Sequence, residues 1–259
     1  MTATPVRDVM SLAGKRALIT GGSRGIGAAA ARLFARAGVD VAIGYRSRGY
    51  DASVVVEQCR AFGVRVHAVA ADIGTRNGAE QLVDESARFL GGLDFFVANA
   101  GIWPVEAVPV ATMDDERWSR TMRENVDAMF FTCRAAARVL SEHGRIVMVS
   151  STAGQRGEAD HADYAASKGA MISFVKSMCI ELAARDITVN CVAPGWVDTE
   201  MAASAYEGEG RGRVARGIPI GRIATADDIA GPIVFLCSPL ARHITGEVVN
   251  VNGGSVLCG

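Results

Sequence analysis

The sequence predicts one α/β domain in which helices cover both faces of a doubly wound, parallel sheet of about seven strands. Short apolar segments alternate with longer helical segments, a pattern typical of parallel strands joined by right-handed helical crossovers. The strand segments are almost continuously apolar, as strands buried on both faces must be. The chain has 259 residues, of which 49% are hydrophobic, and this length suffices for one large hydrophobic core.

The predicted elements follow one another with few long connections. Strands are predicted over 16–20, 39–45, 65–70, 93–98, 144–150, 187–192 and 247–251. Helices are predicted from the glycines after the first strand to residue 37, and over 51–62, 75–90, 113–140, 161–184 and 226–237. Gly38 and Gly63 follow two of these helices, where glycine readily adopts the left-handed conformation of a C-terminal cap. Residues 1–13 are expected to form a loose tail, and residues 14–259 the single domain. Residues 199–222, which contain five glycines, are expected to form a flexible flap.

Charge and composition exclude several classes of protein. The 27 basic and 28 acidic residues give a formal net charge of −1, so no basic surface for nucleic acid is predicted. The six cysteines and four histidines lack the spacing of a disulfide framework or a metal site. We find neither a signal-peptide pattern nor an apolar run of about 18 residues that could span a membrane. A cytoplasmic protein without a metal is therefore expected.

A glycine-rich turn follows the first predicted strand. The segment Thr20–Gly27 reads T-G-G-S-R-G-I-G and leads into a helix. Unpaired backbone N–H groups at a helix N-terminus, with no bulky side chains nearby, form a binding site for phosphate. The G-x-x-x-G-x-G spacing differs from the commonest dinucleotide motif. Its place between a first strand and a helix nevertheless favours a dinucleotide.

The residues at the end of the second predicted strand favour NADP(H) over NAD(H). A site for NAD usually has a carboxylate here, which accepts hydrogen bonds from the ribose 2′-hydroxyl. This chain instead has Tyr45, Arg46 and Ser47. Arg46 can pair with a 2′-phosphate, and Arg24 in the glycine-rich turn can assist it.

The same turn also matches a different class of enzyme. Gly21–Gly25 reads G-x-S-x-G, the sequence around the nucleophile of α/β-hydrolases. In such a hydrolase, Asp198 and His243 could complete a triad with Ser23. A nucleophile after the first strand would be unusual, so a serine hydrolase is a remote alternative.

A Tyr–Lys pair is the main candidate for catalysis. Tyr164 and Lys168 stand four residues apart in a predicted helix, which places them on one face. A neighbouring ammonium group favours the phenolate, so we expect Lys168 to lower the pKa of Tyr164. Ser151 follows a predicted strand and can donate a hydroxyl to the same substrate oxygen. Asn125 lies within a predicted helix, where asparagine is a mediocre helix former.

Taken together, these motifs resemble those of the short-chain dehydrogenase/reductase family from about residue 14 to residue 254, and the resemblance implies a Rossmann-like fold. The matching pieces are Thr20–Gly27, Asp72-Ile73, Asn99–Gly101, Asn125, Ser151, Tyr164-x-x-x-Lys168, Pro194-Gly195, Gly221-Arg222, Ile229-Ala230, Phe235-Leu236 and Ile244–Gly246. The chain departs from the family pattern at Ala98 and Asn252, where asparagine and aspartate are more usual.

The resemblance implies a role for each matching residue. Tyr164 would be the acid/base, with Lys168 lowering its pKa and holding the nicotinamide ribose. Ser151 would orient the substrate carbonyl, and Asn125 would hold a water of a proton relay. Asp72 would contact the adenine, Asn99 the adenosine-side ribose and Thr199 the nicotinamide amide. The predicted cofactor-binding residues are Gly21, Ser23, Arg24, Gly25, Ile26, Gly27, Tyr45, Arg46, Ser47, Asp72, Ile73, Asn99, Ala100, Gly101, Tyr164, Lys168, Pro194, Gly195, Val197 and Thr199.

The predicted function is NADP(H)-dependent reduction of a small carbonyl compound, such as a 3-oxoacyl thioester or another ketone, or oxidation of the corresponding alcohol. Candidates for the substrate pocket are Trp103, Gln155, Trp196, Met201 and Tyr206. An NAD-dependent sugar, polyol or hydroxysteroid dehydrogenase is the alternative, and a non-catalytic NADP sensor is a remote one. The resemblance also implies a homotetramer, or a homodimer, in which the helices over 113–140 and 161–184 pack between subunits.

Overall fold

The computed structural model describes residues 12–257, so most of the predicted tail and Cys258 lie outside the described residues. The strands are β1 (Arg16–Thr20), β2 (Asp40–Tyr45), β3 (Val66–Ala70), β4 (Leu93–Ala98), β5 (Leu140–Val149), β6 (Thr188–Pro194) and β7 (Val248–Val251). They form one seven-stranded sheet in the order β3-β2-β1-β4-β5-β6-β7, and every neighbouring pair is parallel. The predicted doubly wound, Rossmann-like sheet is therefore confirmed.

Helices cover both faces of this sheet. They are α1 (Gly25–Arg36), α2 (Gly49–Arg60), α3 (Arg76–Leu90), α4 (Asp115–Met122), α5 (Ala128–Val139), α6 (Ala153–Arg156), α7 (Ala162–Glu181), α8 (Gly210–Arg216) and α9 (Ala226–Cys237). The side chains of α1, α2 and α9 belong to one buried apolar cluster. Those of α3, α5 and α7 belong to another. Because successive side chains of a strand point to opposite faces, Ile19 joins the first cluster and Leu18 the second.

The prediction of one continuous helix over 113–140 is wrong. The chain forms α4, then one π-helical turn over Arg123–Asp127, and then α5. The predicted start of β5 at residue 144 is also wrong, because the strand already begins at Leu140. Leu140 pairs with Leu93, and the register shifts before Phe95 pairs with Arg145. The chain therefore passes directly from α5 to β5 at Leu140, which is buried, without the loop that the periodicity of the sequence predicts.

Two segments at the margins of the predicted domain have defined structure. Leu12, assigned to the loose tail, is only 2% exposed and packs in the first apolar cluster. The start of the predicted flap forms a 3-10 helix over Glu200–Tyr206, followed by α8. Within residues 12–257 no helix is long and apolar enough to cross a membrane. In the same part of the chain, no group of three or more potential ligand side chains is placed to hold a metal ion.

The strand order determines where a ligand can bind. β1 and β4 are neighbours in the sheet, but α1 covers one face while the helices after β4 cover the other. At such a switch point the connections diverge, and a crevice opens beyond the carboxyl ends of the strands. This crevice holds the candidate site.

Candidate active site

A cleft of about 340 Å³ opens at this edge of the sheet. The predicted residues that line it are Gly21, Ser23, Arg24, Gly25, Ile26, Tyr45, Arg46, Ser47, Asp72, Ile73, Asn99, Ala100, Gly101, Trp103, Ser151, Tyr164, Lys168, Pro194, Gly195, Trp196, Val197, Thr199 and Met201. The fold thus brings the glycine-rich turn, the Tyr–Lys pair and most of the substrate-pocket candidates into one cleft.

The glycine-rich turn forms the floor of one end of the cleft. Gly21 and Gly25 have φ angles of +64° and +53°, values that side chains other than glycine rarely adopt. A Cβ at Gly21 would lie 3.0 Å from the Cα of Ala100. No side chain caps the N-terminus of α1, so its first N–H groups remain available to a ligand. This cradle fits the phosphates of a dinucleotide.

Asn99 connects this turn to β4. Its Nδ2 donates to the carbonyl oxygens of Thr20 at 2.9 Å and Gly21 at 3.2 Å. Gly27 packs behind the turn and does not line the cleft, because a Cβ there would lie 2.3 Å from the Gly21 oxygen. Gly27 was predicted to bind the cofactor, but in the structure it packs against the turn and does not line the cleft.

Arginines and carboxylates surround the outer end of the cleft. Arg24 Nη1 lies 2.7 Å from Glu200, and Arg48 Nη2 lies 2.6 Å from the same carboxylate. Arg46 Nη1 donates to Glu124 at 2.5 Å, and this hydrogen bond raises the pKa of Arg46. The hydrogen bond from Arg24 lowers the pKa of Glu200. Three guanidinium groups thus lie where the sequence predicts the 2′-phosphate, each held by a carboxylate of this chain.

Tyr164, Lys168 and Ser151 meet at the inner end of the cleft. Lys168 Nζ lies 5.8 Å from the centre of the Tyr164 ring, which confirms that the two side chains share one face of α7. The ammonium donates to the Val149 carbonyl oxygen at 2.8 Å. Ser151 follows β5, and its Oγ accepts a hydrogen bond from Ala153 N at 3.1 Å.

The predicted lowering of the Tyr164 pKa by Lys168 is wrong for this geometry. Burial raises the pKa of Tyr164 to about 12, the hydrogen bond with Ser151 opposes this change, and the charge of Glu158 adds to it. Burial also lowers the pKa of Lys168 to about 8. Desolvation is the largest cause of both shifts, because both side chains are almost fully buried.

Asn125 lies behind the cleft in the π-helical turn. Its Oδ1 accepts from Ile102 N at 2.7 Å, and its Nδ2 donates to Ile102 O at 3.0 Å and to Ser167 Oγ at 2.9 Å. These bonds explain why asparagine occupies a helical position, since it ties the turn to the loop after β4. They also engage both amide hydrogens, and Asn125 does not line the cleft, so the predicted water contact finds no support in this arrangement.

Comparisons with known proteins agree with this geometry. A sequence profile described as "Enoyl-(Acyl carrier protein) reductase" matches residues 21–255. The 3-oxoacyl-(acyl-carrier-protein) reductase of Aquifex aeolicus is 35% identical, with 95% of this chain and 98% of that protein covered. The L-rhamnose 1-dehydrogenase (NAD(P)(+)) of Azotobacter vinelandii is 37% identical, with 95% and 98% covered.

Solved structures have the same fold. A short-chain dehydrogenase of Burkholderia cenocepacia in complex with NADP is 39% identical, with a TM-score of 0.88 and coverage of 94% of this chain and 98% of that one. The chain belongs to the short-chain dehydrogenase/reductase family. As a member of this family, it is an NAD(P)-dependent oxidoreductase that acts on a small molecule. The cradle at the turn suits the pyrophosphate of such a dinucleotide, and the basic outer end of the cleft suits its adenosine end.

The substrate end of this short-chain dehydrogenase/reductase has an aromatic wall. Trp103 and Trp196 meet edge to face, with ring centroids 6.0 Å apart. Trp103 Nε1 donates to Glu158 Oε1 at 3.2 Å. Met201 is 43% exposed and also lines this part of the cleft. The pocket therefore combines apolar surface with one carboxylate.

Two of the predicted pocket residues do not line the cleft. Gln155 Nε2 donates to Asn250 Oδ1 at 2.7 Å, and this bond directs the side chain toward β7. Tyr206 donates its hydroxyl to Val197 O at 2.9 Å, and its ring packs against the edge of Trp196. Tyr206 thus supports the aromatic wall from behind.

Sequence reasoning missed several residues that line the cleft, among them Arg48, Glu124, Glu158 and Glu200. Arg48 could have been noticed, since it stands two residues after Arg46 in the same basic segment. The three glutamates offered no signal, because an acidic residue in a loop or helix is usually a solvated surface residue. Their importance depends on partners that are distant in the chain.

The geometry does not support the serine hydrolase. Ser23 lines the cleft, but Asp198 pairs with Arg211 and His243 is exposed. Among the hydrogen bonds of residues 12–257, none joins Ser23 to either partner. A nucleophilic serine requires such a base.

Proposed function

We propose that this enzyme reduces the carbonyl group of a small ketone, with NADPH as the preferred reductant. The observation that carries the proposal is that Tyr164 and Ser151 line the same cleft as the glycine-rich turn and the arginines. When bound, the reduced nicotinamide would supply a hydride, that is, two electrons and one proton, to the carbonyl carbon. We further propose that residues 199–222 act as a flap over the substrate.

In this proposal, Ser151 and Tyr164 act on the substrate oxygen. Ser151 Oγ donates a hydrogen bond that orients the carbonyl, and Tyr164 gives its proton to the oxygen as negative charge develops there. A phenol with a raised pKa remains protonated at neutral pH, as a proton donor must be. Lys168, held by Val149 O, places its ammonium group beside the tyrosine ring and toward the predicted ribose position.

The preference for NADPH is supported by charge at the outer end of the cleft. Arg24, Arg46 and Arg48 all line it, and guanidinium groups bind phosphate well. The similar Burkholderia structure contains NADP. A blue fluorescent protein from a metagenomic library, which is 36% identical with a TM-score of 0.89, is in complex with NADPH. The rhamnose dehydrogenase is described with either cofactor.

The aromatic wall supports a ketone with an apolar body as substrate. Trp103 and Trp196 offer perpendicular faces, and Met201 adds a flexible apolar surface. A 3-oxoacyl thioester is one such ketone, and a similar protein is described as a 3-oxoacyl-(acyl-carrier-protein) reductase. A sugar is the second candidate, because the Glu158 carboxylate can accept hydrogen bonds from hydroxyl groups and a similar enzyme is described as a rhamnose dehydrogenase.

The first experiment follows the near-ultraviolet absorbance of NADPH and NADH with a panel of carbonyl compounds. The panel contains acetoacetyl thioesters, quinones, ketosteroids and sugar lactones, and the reverse reaction is tested with rhamnose and polyols. We expect NADPH consumption that Tyr164→Phe reduces by about 10²–10⁴-fold, while binding of NADPH persists. The control is Tyr206→Phe, which removes a hydroxyl outside the cleft. Turnover that survives in Tyr164→Phe would contradict the proposed acid.

A further inference from the structure

Glu200 joins the flap to both basic loops at the outer end of the cleft. Its Oε2 lies 2.7 Å from Arg24 in the glycine-rich turn, and its Oε1 lies 2.6 Å from Arg48 after β2. The preceding residue, Thr199, packs on the same turn, since a Cβ at Gly25 would lie 3.4 Å from Thr199 Cγ2. One carboxylate of the flap therefore bridges two guanidinium groups that belong to different loops.

The other carboxylates at this end are held differently. Glu124 pairs with Arg46 and Arg123 and is only 13% exposed within the π-helical turn. Asp51 lies 3.7 Å from Arg48 and belongs to the same helix N-terminus. Glu200 is 55% exposed and begins the 3-10 helix of the flap. Glu200 can therefore leave both arginines without unfolding a buried element.

We propose that Glu200 is a specificity-determining residue that competes with the cofactor's 2′-phosphate for Arg24 and Arg48. This inference rests on the proposed function, because it requires a nicotinamide dinucleotide in the cleft. With NADH, the carboxylate keeps both arginines neutralised, so that the missing phosphate leaves no unpaired charge. With NADPH, a dianionic phosphate must displace a tethered carboxylate. Glu200 therefore reduces the ratio of the affinity for NADPH to the affinity for NADH, which three unpaired arginines would make larger.

The proposal is tested with fragments of the cofactor, which bind without turnover. Calorimetric titration with adenosine 2′,5′-bisphosphate and with AMP measures the two affinities for the wild type and for Glu200→Gln. Because exposed ion pairs are modest in energy, we expect the variant to bind the bisphosphate about three- to tenfold more tightly, with AMP binding unchanged or weaker. Glu207→Gln is the matched control, since it removes an exposed carboxylate of the same segment and should leave both affinities unchanged.

A second pair of variants tests whether the effect acts through the arginines. In an Arg48→Met background, the gain from Glu200→Gln should shrink, because one of the two competing guanidinium groups is gone. Thermal unfolding of each variant verifies that the flap substitution leaves the fold intact. An unchanged ratio of the two affinities in Glu200→Gln, or weaker bisphosphate binding, would overturn the role of Glu200 alone. Failure of the wild type to bind either fragment would overturn the cofactor site, and the Glu200 proposal with it.

Discussion

At the scale of single residues, burial determines the chemistry of the site more than sequence neighbours do. Tyr164 and Lys168 share a helix face, yet the pKa of the phenol rises and that of the ammonium falls, because each loses contact with water. Glu158 comes from a different loop and adds negative charge near the phenol. The side chains that shift the pKa of Tyr164 are thus Ser151 and Glu158, which both lie outside its own helix.

The first prediction concerns the dependence of activity on pH. Burial, and then the charge of Glu158, raise the pKa of Tyr164, while Ser151 lowers it. Glu158→Gln removes one of the raising contributions, so the pKa of Tyr164 should fall. Because the proposed carbonyl reduction requires the protonated phenol, the alkaline decline of kcat/KM should begin at lower pH in this variant than in the wild type.

The matched control for this experiment is Trp103→Phe. It removes the hydrogen bond to Glu158 but keeps the carboxylate, so the alkaline decline should stay close to that of the wild type. If Glu158→Gln left the pH profile unchanged, or moved it to higher pH, the electrostatic link between Glu158 and Tyr164 would be refuted.

At the scale of elements, a buried ion pair fixes the start of α7. Asp163, immediately before Tyr164, is fully buried. Its Oδ2 accepts from Thr121 Oγ1 at 2.7 Å and from Arg117 Nε at 3.2 Å, so that α4 holds the first turn of α7. Burial raises the pKa of Asp163, but the hydrogen bonds from Thr121 and Arg117 outweigh it, and the net pKa is lowered.

The second prediction concerns stability. Asp163→Asn leaves Arg117 buried without its counter-charge, and we expect the free energy of unfolding to fall by about 3–5 kcal/mol in a urea titration. Asp186→Asn serves as the control, because its carboxylate pairs with His143 at the surface, and we expect little change. A loss for Asp163→Asn as small as for the control would show that the ion pair does not hold α4 to α7.

The same carboxyl group predicts how stability depends on pH. A folded-state pKa below the unfolded value contributes stability that is complete above the unfolded pKa and is lost as pH falls through the folded pKa. The wild type should therefore lose part of its stability on acidification below about pH 4. Asp163→Asn should lack this component of the acid transition, which urea titrations at several pH values would reveal.

At the scale of the whole molecule, apolar side chains remain exposed on the helices that cover one face of the sheet. Trp118 on α4 is 43% exposed, Phe130 on α5 is 38% exposed and Ile180 on α7 is 77% exposed. We propose that these helices pack between subunits of a homotetramer or homodimer, since several large apolar side chains exposed on one face of a molecule often mark an interface. The subunit mass is 27.2 kDa.

The third prediction tests this assembly. Sedimentation of the wild type should give a multiple of the subunit mass, and Ile180→Glu should shift the protein toward smaller species, because burying an unpaired charge in an interface is costly. Val54→Glu is the control, since Val54 is 39% exposed on α2, on the other face of the sheet. A wild type that sediments as a monomer would contradict the proposed assembly.

The sequence by itself determined the order of strands and helices, the glycine-rich turn and the shared face of Tyr164 and Lys168. These features depend on residues that are close in the chain: apolar runs, helical spacing, and glycines whose backbone angles suit a turn. The parallel, doubly wound sheet followed from the alternation of elements, because right-handed crossovers leave few other arrangements, whereas the order of the strands within it was not predicted. The residues that line the cleft were largely predictable for the same reason, since they follow the carboxyl ends of strands.

Only the tertiary structure decided which partner each polar group has. Asn125, in the π-helical turn, finds the partners of its side-chain amide in Ile102 and Ser167. Gln155 leaves the cleft for Asn250, and Glu200 bridges arginines from two distant loops. Such contacts join residues far apart in the chain, and the pKa of Tyr164 depends on how deeply the completed fold buries it. Local sequence patterns do not predict how deeply Tyr164 is buried, so its pKa can be explained only from the folded structure.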